Sequence, residues 1–273
     1  MLKMKNKLPA APYLVWMIVF ILVPLIMVAY FAFTDKDGHF TLDYVSNVAQ
    51  YTPIFVRSIW LALISTVICL LIAYPLAYIL IGMNTNIQST MLMIVMLPMW
   101  MNFLLRTYAW MALLGNNGLI NALLGLVGLG PFKMLNTEGA VVLGMVYNYL
   151  PFMILPIYSV MVKIDKSVLE AAADLGCNPA KTMLKVVFPL SLPGVFSGIT
   201  MVFVPAISTF IISRMLGGGG NLLIGDLIEM QFLGNSYNIN LGAAISLVLM
   251  VIVLLIMTIL NQFGADDDGV MVI

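Results

Sequence analysis

Six stretches of predominantly apolar residues run along the chain, at residues 12–33, 54–81, 91–114, 139–161, 192–215 and 241–260, each reaching the ~20 residues that a helix needs to cross a hydrocarbon layer. Polar positions gather between them. The pattern predicts an all-α integral membrane protein with six transmembrane helices in a single domain over 1–273. Proline interrupts several runs (Pro24, Pro75, Pro98, Pro151, Pro156, Pro205). In lipid the freed carbonyls must be satisfied again by neighbouring helices or by water in a cavity, so these prolines read either as kinks around a pathway or as packing features.

Composition supports the membrane reading. Hydrophobic residues make up 62% of the chain and charged residues 9%, the latter roughly a third of the share in a soluble domain. Twelve basic and twelve acidic residues cancel, leaving no global field to recruit nucleic acid. Cys69 lies in an apolar run and Cys177 in a polar segment. That difference in depth argues against a structural disulfide. His39, with Asp35 and Asp37 in a glycine-containing loop, reads as a solvated turn, and no metal site is expected.

The first apolar run is too long for a signal-peptide core, and Lys3, Lys5 and Lys7 ahead of it place the N-terminus in the cytoplasm. Six crossings return the C-terminus to the same side of the cell membrane. Lys163, Lys166, Lys181 and Lys185 then face the cytoplasm too, against Lys36 and Lys133 outside, with Arg57 and Arg214 near outer helix ends. The 82–90 connection lacks a basic residue, and Asp266, Asp267 and Asp268 make the tail acidic. Acidic residues contribute little to topology.

Between the fourth and fifth runs lies a polar loop at 162–190. Ser167 with Glu170 predicts a capping box and a short helix from Val168 through Asp174, with Gly176 just past its end. Asn178-Pro179 restarts a helix, and Phe188-Pro189 is expected to end it. Lys181 and Lys185 share a face, while Met183, Leu184, Val186 and Val187 offer apolar contact. A helix pair of this size buries no core of its own and must dock onto something. Small residues, Ala171, Ala172 and Gly176, let a partner come close.

The loop's spacing is Glu170-Ala171-Ala172, three residues, Gly176, nine residues, then apolar-x-apolar-Pro189. It resembles the EAA coupling loop of permease subunits of type I ATP-binding-cassette importers. Val186 and Phe188 stand where that family usually shows Ile and Leu. The likeness extends to LPMWMNFLLRTYAW (Leu97–Trp110), YNYLPFMILPIYS (Tyr147–Ser159) and NLLIGDLIEMQF (Asn221–Phe232). It is strongest to the first permease of spermidine/putrescine importers. The resemblance implies the type I permease fold, alternating access, and Glu170, Ala171, Ala172, Asp174, Gly176 and Pro189 as the ATPase-coupling residues. Implied partners are a second permease, two ATPase subunits, an external substrate-binding protein and the bilayer. No G-x-x-x-x-G-K-[ST] phosphate loop occurs, and Gly217–Gly220 lacks the lysine. The chain is therefore expected to be non-catalytic and to bind no cofactor, with ATP and Mg held by the partner ATPase.

A polyamine path calls for aromatic faces and occasional carboxylates. Trp100, Tyr108 and Trp110 on the third span and Tyr147 and Tyr149 on the fourth supply aromatic faces, although such residues also anchor helices at interfaces. Asp226 and Glu229, one turn apart on an interfacial or re-entrant helix, either receive an ammonium, form a solvated face, or pair with Arg214. Arg106 either snorkels outward or bonds a neighbouring subunit. Asn102, Asn148, Ser208 and Thr209 line the pathway or join helices. Other readings are a permease for sulfate, iron or thiamine, an ion-coupled secondary transporter, and a non-transporting scaffold. The second lacks the mid-membrane ionisable groups and internal symmetry it needs; the third leaves the prolines and the loop unexplained.

Overall fold

The computed structural model describes residues 11–234 and 237–265. Lys3, Lys5, Lys7 and the acidic tail at Asp266–Asp268 lie outside the described residues. Six helical stretches within the described chain are long and apolar enough to cross a membrane: Pro12–Ala32, Asp43–Ile81, Phe103–Leu126, Glu138–Met161, Pro179–Ile207 and Ile239–Leu260. Extended structure among the described residues is confined to an antiparallel bridge between Thr34 and Phe40. The described residues gather into two compact units, one holding residues 11–53 with the described part of Leu227–Val253, the other Ile54–Asp226 with residues 254–265.

In the first unit, helix α1 (Ala11–Met17) passes through a π-helical turn at Ile18–Leu22 into α2 (Val23–Ala32). A short α3 (Asp43–Asn47) follows. The amide of Asn240 donates to the carbonyls of Phe31 (3.2 Å) and Thr34 (2.6 Å), fastening the end of the first span to the last one. The turn at Asp35–His39 closes through an Asp35 N–H to His39 carbonyl bond of 2.8 Å. Asp35 also accepts from the Tyr44 hydroxyl at 3.3 Å. Among the described residues no three His, Cys, Asp or Glu side chains gather to hold a metal.

The second unit contains α4 (Thr52–Ile81), α5 (Thr85–Trp100), α6 (Phe103–Leu114), α7 (Leu119–Leu126), α8 (Glu138–Met161), α9 (Lys166–Asp174), α10 (Pro179–Thr182), α11 (Phe188–Ile207) and α12 (Ile211–Gly217). Three helices run across the boundaries between units: α4 at its first turn, α13 (Ile224–Leu233) and α14 (Ile239–Ala265). The second unit's core is Cys69, Ala73, Tyr74 and Ala77 of α4, Met153, Ile154, Ile157 and Met161 of α8, and Val187, Val195 and Val202 on and beside α11. Helices α8 and α11 pack most closely at Gly194 and Gly198. A Cβ at Gly194 would lie 2.8 Å from the Pro156 carbonyl, and one at Gly198 2.7 Å from Met153 Sδ. The four-residue spacing puts both glycines on one face, and their missing side chains let the backbones approach in a medium with no hydrophobic drive to do so.

The prolines sort into three outcomes. Pro75, Pro151, Pro156 and Pro193 stay inside helices. Pro24 and Pro189 each follow a π-helical turn, Ile18–Leu22 and Met183–Val187; the wider turn makes room for a ring that would otherwise strike the carbonyl four residues back. Pro98 and Pro205 precede complete breaks. The run at 91–114 is therefore not one helix: it stops at Trp100, Met101 turns extended, and Asn102 starts α6 by accepting from the N–H groups of Leu104 (2.8 Å) and Leu105 (3.3 Å). Likewise the run at 192–215 ends at Ile207. Ser208 bonds back to the Val204 carbonyl at 3.1 Å, and α12 begins three residues later.

Candidate functional site

The loop at 162–190 starts with a cap the sequence reading missed. Asp165, not Ser167, is the N-cap of α9: its carboxylate accepts from the Ser167 N–H at 3.0 Å and its carbonyl from Val168 N–H at 3.1 Å. The capping box over Ser167 and Glu170 does not form. Aspartate caps as well as serine and adds negative charge at the helix's positive end. The Ser167 backbone bond, then its side-chain bond, holds the Asp165 carboxyl below its ordinary value of 3.8. Glu170 is thereby released from capping and stands exposed midway along α9.

The end of α9 follows the expectation. Gly176 is left-handed at φ 77°; Cys177 N–H bonds to Ala172 carbonyl (3.0 Å) and Gly176 N–H to Ala173 carbonyl (2.9 Å), the paired closure of a Schellman end. Asn178 then caps α10, accepting from Lys181 N–H at 2.8 Å, with Pro179 as its first residue. The expected stop at Phe188-Pro189 is absent. Through the π-helical turn the chain runs directly into α11, with Pro189 in its first turn. The second half of the loop is thus a rigid extension of the fifth span.

One face of the loop is anchored. Leu169, Met183 and Ile164 pack on the core cluster around Met161 and Val187, and Ala172 is buried. At the base, Tyr74 of α4 and Ser191 of α11 share a 3.0 Å hydroxyl bond, and the Tyr74 and Phe188 rings lie 5.6 Å apart. The other face is open: Glu170, Ala171 and Asp174 are exposed, with Leu175 at 85% and Leu184 at 63% exposure. Uncovered leucines on an anchored polar loop are the kind of exposed apolar surface that marks a contact site.

The substrate-path candidates separate by position. Trp100 and Tyr108 are exposed on α5 and α6. Trp110 and Tyr147 meet edge to face at 5.4 Å beside an open apolar groove of about 450 Å³. Tyr149 donates to the Pro205 carbonyl at 3.3 Å, with Thr209 in reach of its hydroxyl. Asn102 is a helix cap, Asn148 is buried, and Ser208 is exposed at the break after α11. Asp226 does not face an incoming cation. At 1% exposure it accepts from the Ser213 hydroxyl and the Leu223 N–H (3.0 Å) and stands 4.0 Å from Arg214, fastening α13 to α12 as the Arg214 alternative anticipated. Glu229, half-buried one turn on, has a partner of its own. Arg106 does not snorkel; it is 8% exposed and turned inward. Two ties went unread in the sequence: Ser58 accepts from Ile224 N–H at 2.8 Å, and Tyr158 donates to Gln88 at 2.9 Å.

Comparisons with known proteins agree with this architecture. Residues 3–263 match the family model of the binding-protein-dependent transport system inner membrane component. The chain is 37% identical over 261 residues to the spermidine/putrescine transport system permease protein PotB of Haemophilus influenzae, covering 92% of this chain and 91% of that one. To its namesake in Escherichia coli it is 35% identical over 247 residues, covering 87% and 90%. Among solved structures, a bacterial ABC transporter importing the acidic polysaccharide alginate superposes with a TM-score of 0.80 at 16% identity, covering 93% of each chain. A methionine ABC transporter in an inward-facing conformation superposes at 0.58 and 17% identity, covering 79% of this chain and 94% of that one. At those identities the structural matches speak for the fold alone. The chain belongs to the family of binding-protein-dependent transport system inner membrane components, the permease subunits of ABC importers.

Proposed function

We propose that this chain is one of two membrane-spanning subunits through which an ABC importer carries spermidine or putrescine into the cell, and that the 162–190 loop receives the stroke of a separate ATPase. The observation that carries the reading is the loop's two-sidedness: Glu170, Leu175 and Leu184 face outward, while Leu169, Met183 and the Tyr74–Ser191 bond tie the inner face to α4, α8 and α11. Movement imposed on the outer face is passed to three spans at once. The curated relatives, named as spermidine/putrescine permeases, support the polyamine substrate.

On this reading both termini and the coupling loop are cytoplasmic, following the lysine bias. A second permease, two ATPase subunits and an external binding protein complete the assembly. ATP and Mg stay on the ATPase, and this chain binds no cofactor. Trp100, Tyr108, Tyr147, Ser208 and Thr209 border the path, whereas Asn102, Asn148 and Asp226 hold the helices that frame it.

The test is ATP-dependent uptake of labelled spermidine and putrescine into proteoliposomes containing the co-purified complex and its binding protein. Glu170→Arg is expected to abolish uptake and ATPase co-purification while the membrane subunits stay assembled. Unchanged uptake in that variant would remove Glu170 from the coupling role. Failure of the wild type on both polyamines would overturn the substrate.

A further inference from the structure

Two buried polar groups in the second unit are left unsatisfied, and their chemistries are complementary. Arg106, at 8% exposure, has Nε and Nη1 inaccessible and without a hydrogen-bond partner among the described residues; its guanidinium lies 5.9 Å from the Phe103 ring centroid. Asn148, at 2% exposure, donates through Nδ2 to the Gly144 carbonyl at 2.8 Å, but its Oδ1 is equally inaccessible and without a partner. One residue offers N–H donors and the other a carbonyl acceptor. A buried polar group without a partner is rare, and a buried guanidinium left so inside a membrane protein is rarer still.

Their placement explains how the two could meet. Arg106 is on α6 and Asn148 on α8, helices that touch each other and that both touch α12. Tyr149, next in sequence to Asn148, lies within the electrostatic reach of Arg106. The α8 side is fixed: a Cβ at Gly144 would lie 2.9 Å from Ile212 and closer still to Leu216 Cδ1, both on α12, so the turn that carries Asn148 is locked to that helix. The α6 side is not. Its backbone ladder starts afresh at the Met101–Asn102 break, four residues before Arg106, and breaks of this kind are where rigid segments pivot.

We propose that Arg106 and Asn148 form a latch, not hydrogen-bonded in this conformation and joined when α6 swings at the Met101–Asn102 hinge during the transport cycle. The proposal rests on the importer reading for what drives the swing. The unmet donors and acceptor raise the energy of the conformation seen here relative to the joined one, which is how a packed interface becomes two-state rather than continuously deformable. Proline at position 98 and the asparagine cap at 102 are then parts of the same device.

The test uses the full complex in lipid nanodiscs, with Cys69→Ala and Cys177→Ala as background. Nitroxide labels on Leu105→Cys of α6 and Leu143→Cys of α8, both exposed, report the α6–α8 separation with and without ATP and vanadate. The wild type should show two separations whose ratio the nucleotide changes. Asn148→Asp, which offers Arg106 a carboxylate, should shift the ratio about tenfold toward the closer one, and Arg106→Met should shift it as far toward the longer one. Arg106→Met should also cancel the effect of Asn148→Asp when the two are combined. Opposite shifts do not arise from general damage. If Arg106→Met fails to assemble, Arg106→Lys should give a smaller shift in the same direction.

A single separation indifferent to nucleotide, or shifts in the same direction for both substitutions, would overturn the latch. Polyamine uptake by the same wild-type preparation separates the two readings. Uptake with a single separation removes the latch alone; two nucleotide-dependent separations without uptake remove the polyamine and keep the latch.

Discussion

Ser58 is fully buried; its hydroxyl donates to the Ile54 carbonyl at 2.9 Å and accepts from the Ile224 N–H at 2.8 Å. Ser58→Ala leaves that N–H buried without an acceptor, a loss expected to cost about 1–3 kcal/mol, measured as a fall in Tm of the detergent-purified protein. The Arg57–Glu138 pair, 2.9 Å apart but nearly half exposed on both sides, gives a contrast. Glu138→Gln should cost under about 1 kcal/mol and show no more than a small shift in the same assay. Asp165 adds a pH dependence. Its carboxyl titrates below the ordinary 3.8 because the Ser167 bonds favour the charged form. The cap's contribution is therefore present above the unfolded value and lost as pH falls through the lower folded one. Amide exchange at residues 167–169 should be insensitive to pH change near neutrality once corrected for intrinsic rates, and should lose protection only in acid.

At the scale of elements, the contact between α8 and α11 and the join between α10 and α11 matter most. Gly194→Val has no space: the Pro156 carbonyl and Ile157 Cα would lie 2.8 and 3.1 Å from its Cβ. Overpacking there should cost at least about 1–3 kcal/mol, read as a lower Tm, whereas Gly125→Ala, on open space in α7, should leave Tm unchanged. The π-helical turn at Met183–Val187 sets the rotation of the coupling loop relative to the fifth span. Deleting Val186 would rotate α10 and α9 by about 100° against α11. The variant should fold and insert but lose ATP-driven uptake; wild-type uptake would show that loop orientation is not what couples it.

For the whole molecule, orientation and access can be read from its two cysteines. Cys177 is partly exposed in the loop, while Cys69 is buried in α4. A membrane-impermeant maleimide should label Cys177 in inside-out vesicles and not in intact cells, and Cys69 in neither. Labelling of Cys177 from outside would reverse the topology and with it the coupling role of Glu170. The division into two units places the first span with the start of the last one through Asn240, and the coupling loop with α4, α8 and α11.

Apolar length and the absence of charge were enough, from sequence alone, to set the number of spans, because the cost of unsatisfied backbone in lipid leaves helices few alternatives. Gly176 and the Asn178-Pro179 restart were also legible, since turn and cap chemistry is local. What the sequence left open depends on residues far apart in the chain. Whether Pro98, Pro189 and Pro205 break a helix, widen it or are absorbed rests on which groups stand near enough to take up the freed carbonyls. Asp226 reads equally as a substrate acid, part of a solvated face or a partner of Arg214 until Ser213 and Leu223 are seen to occupy it, and Arg106 as a snorkelling residue or a subunit contact until its burial is seen. A side chain's chemistry is fixed by the residue, but its partner is fixed only by packing.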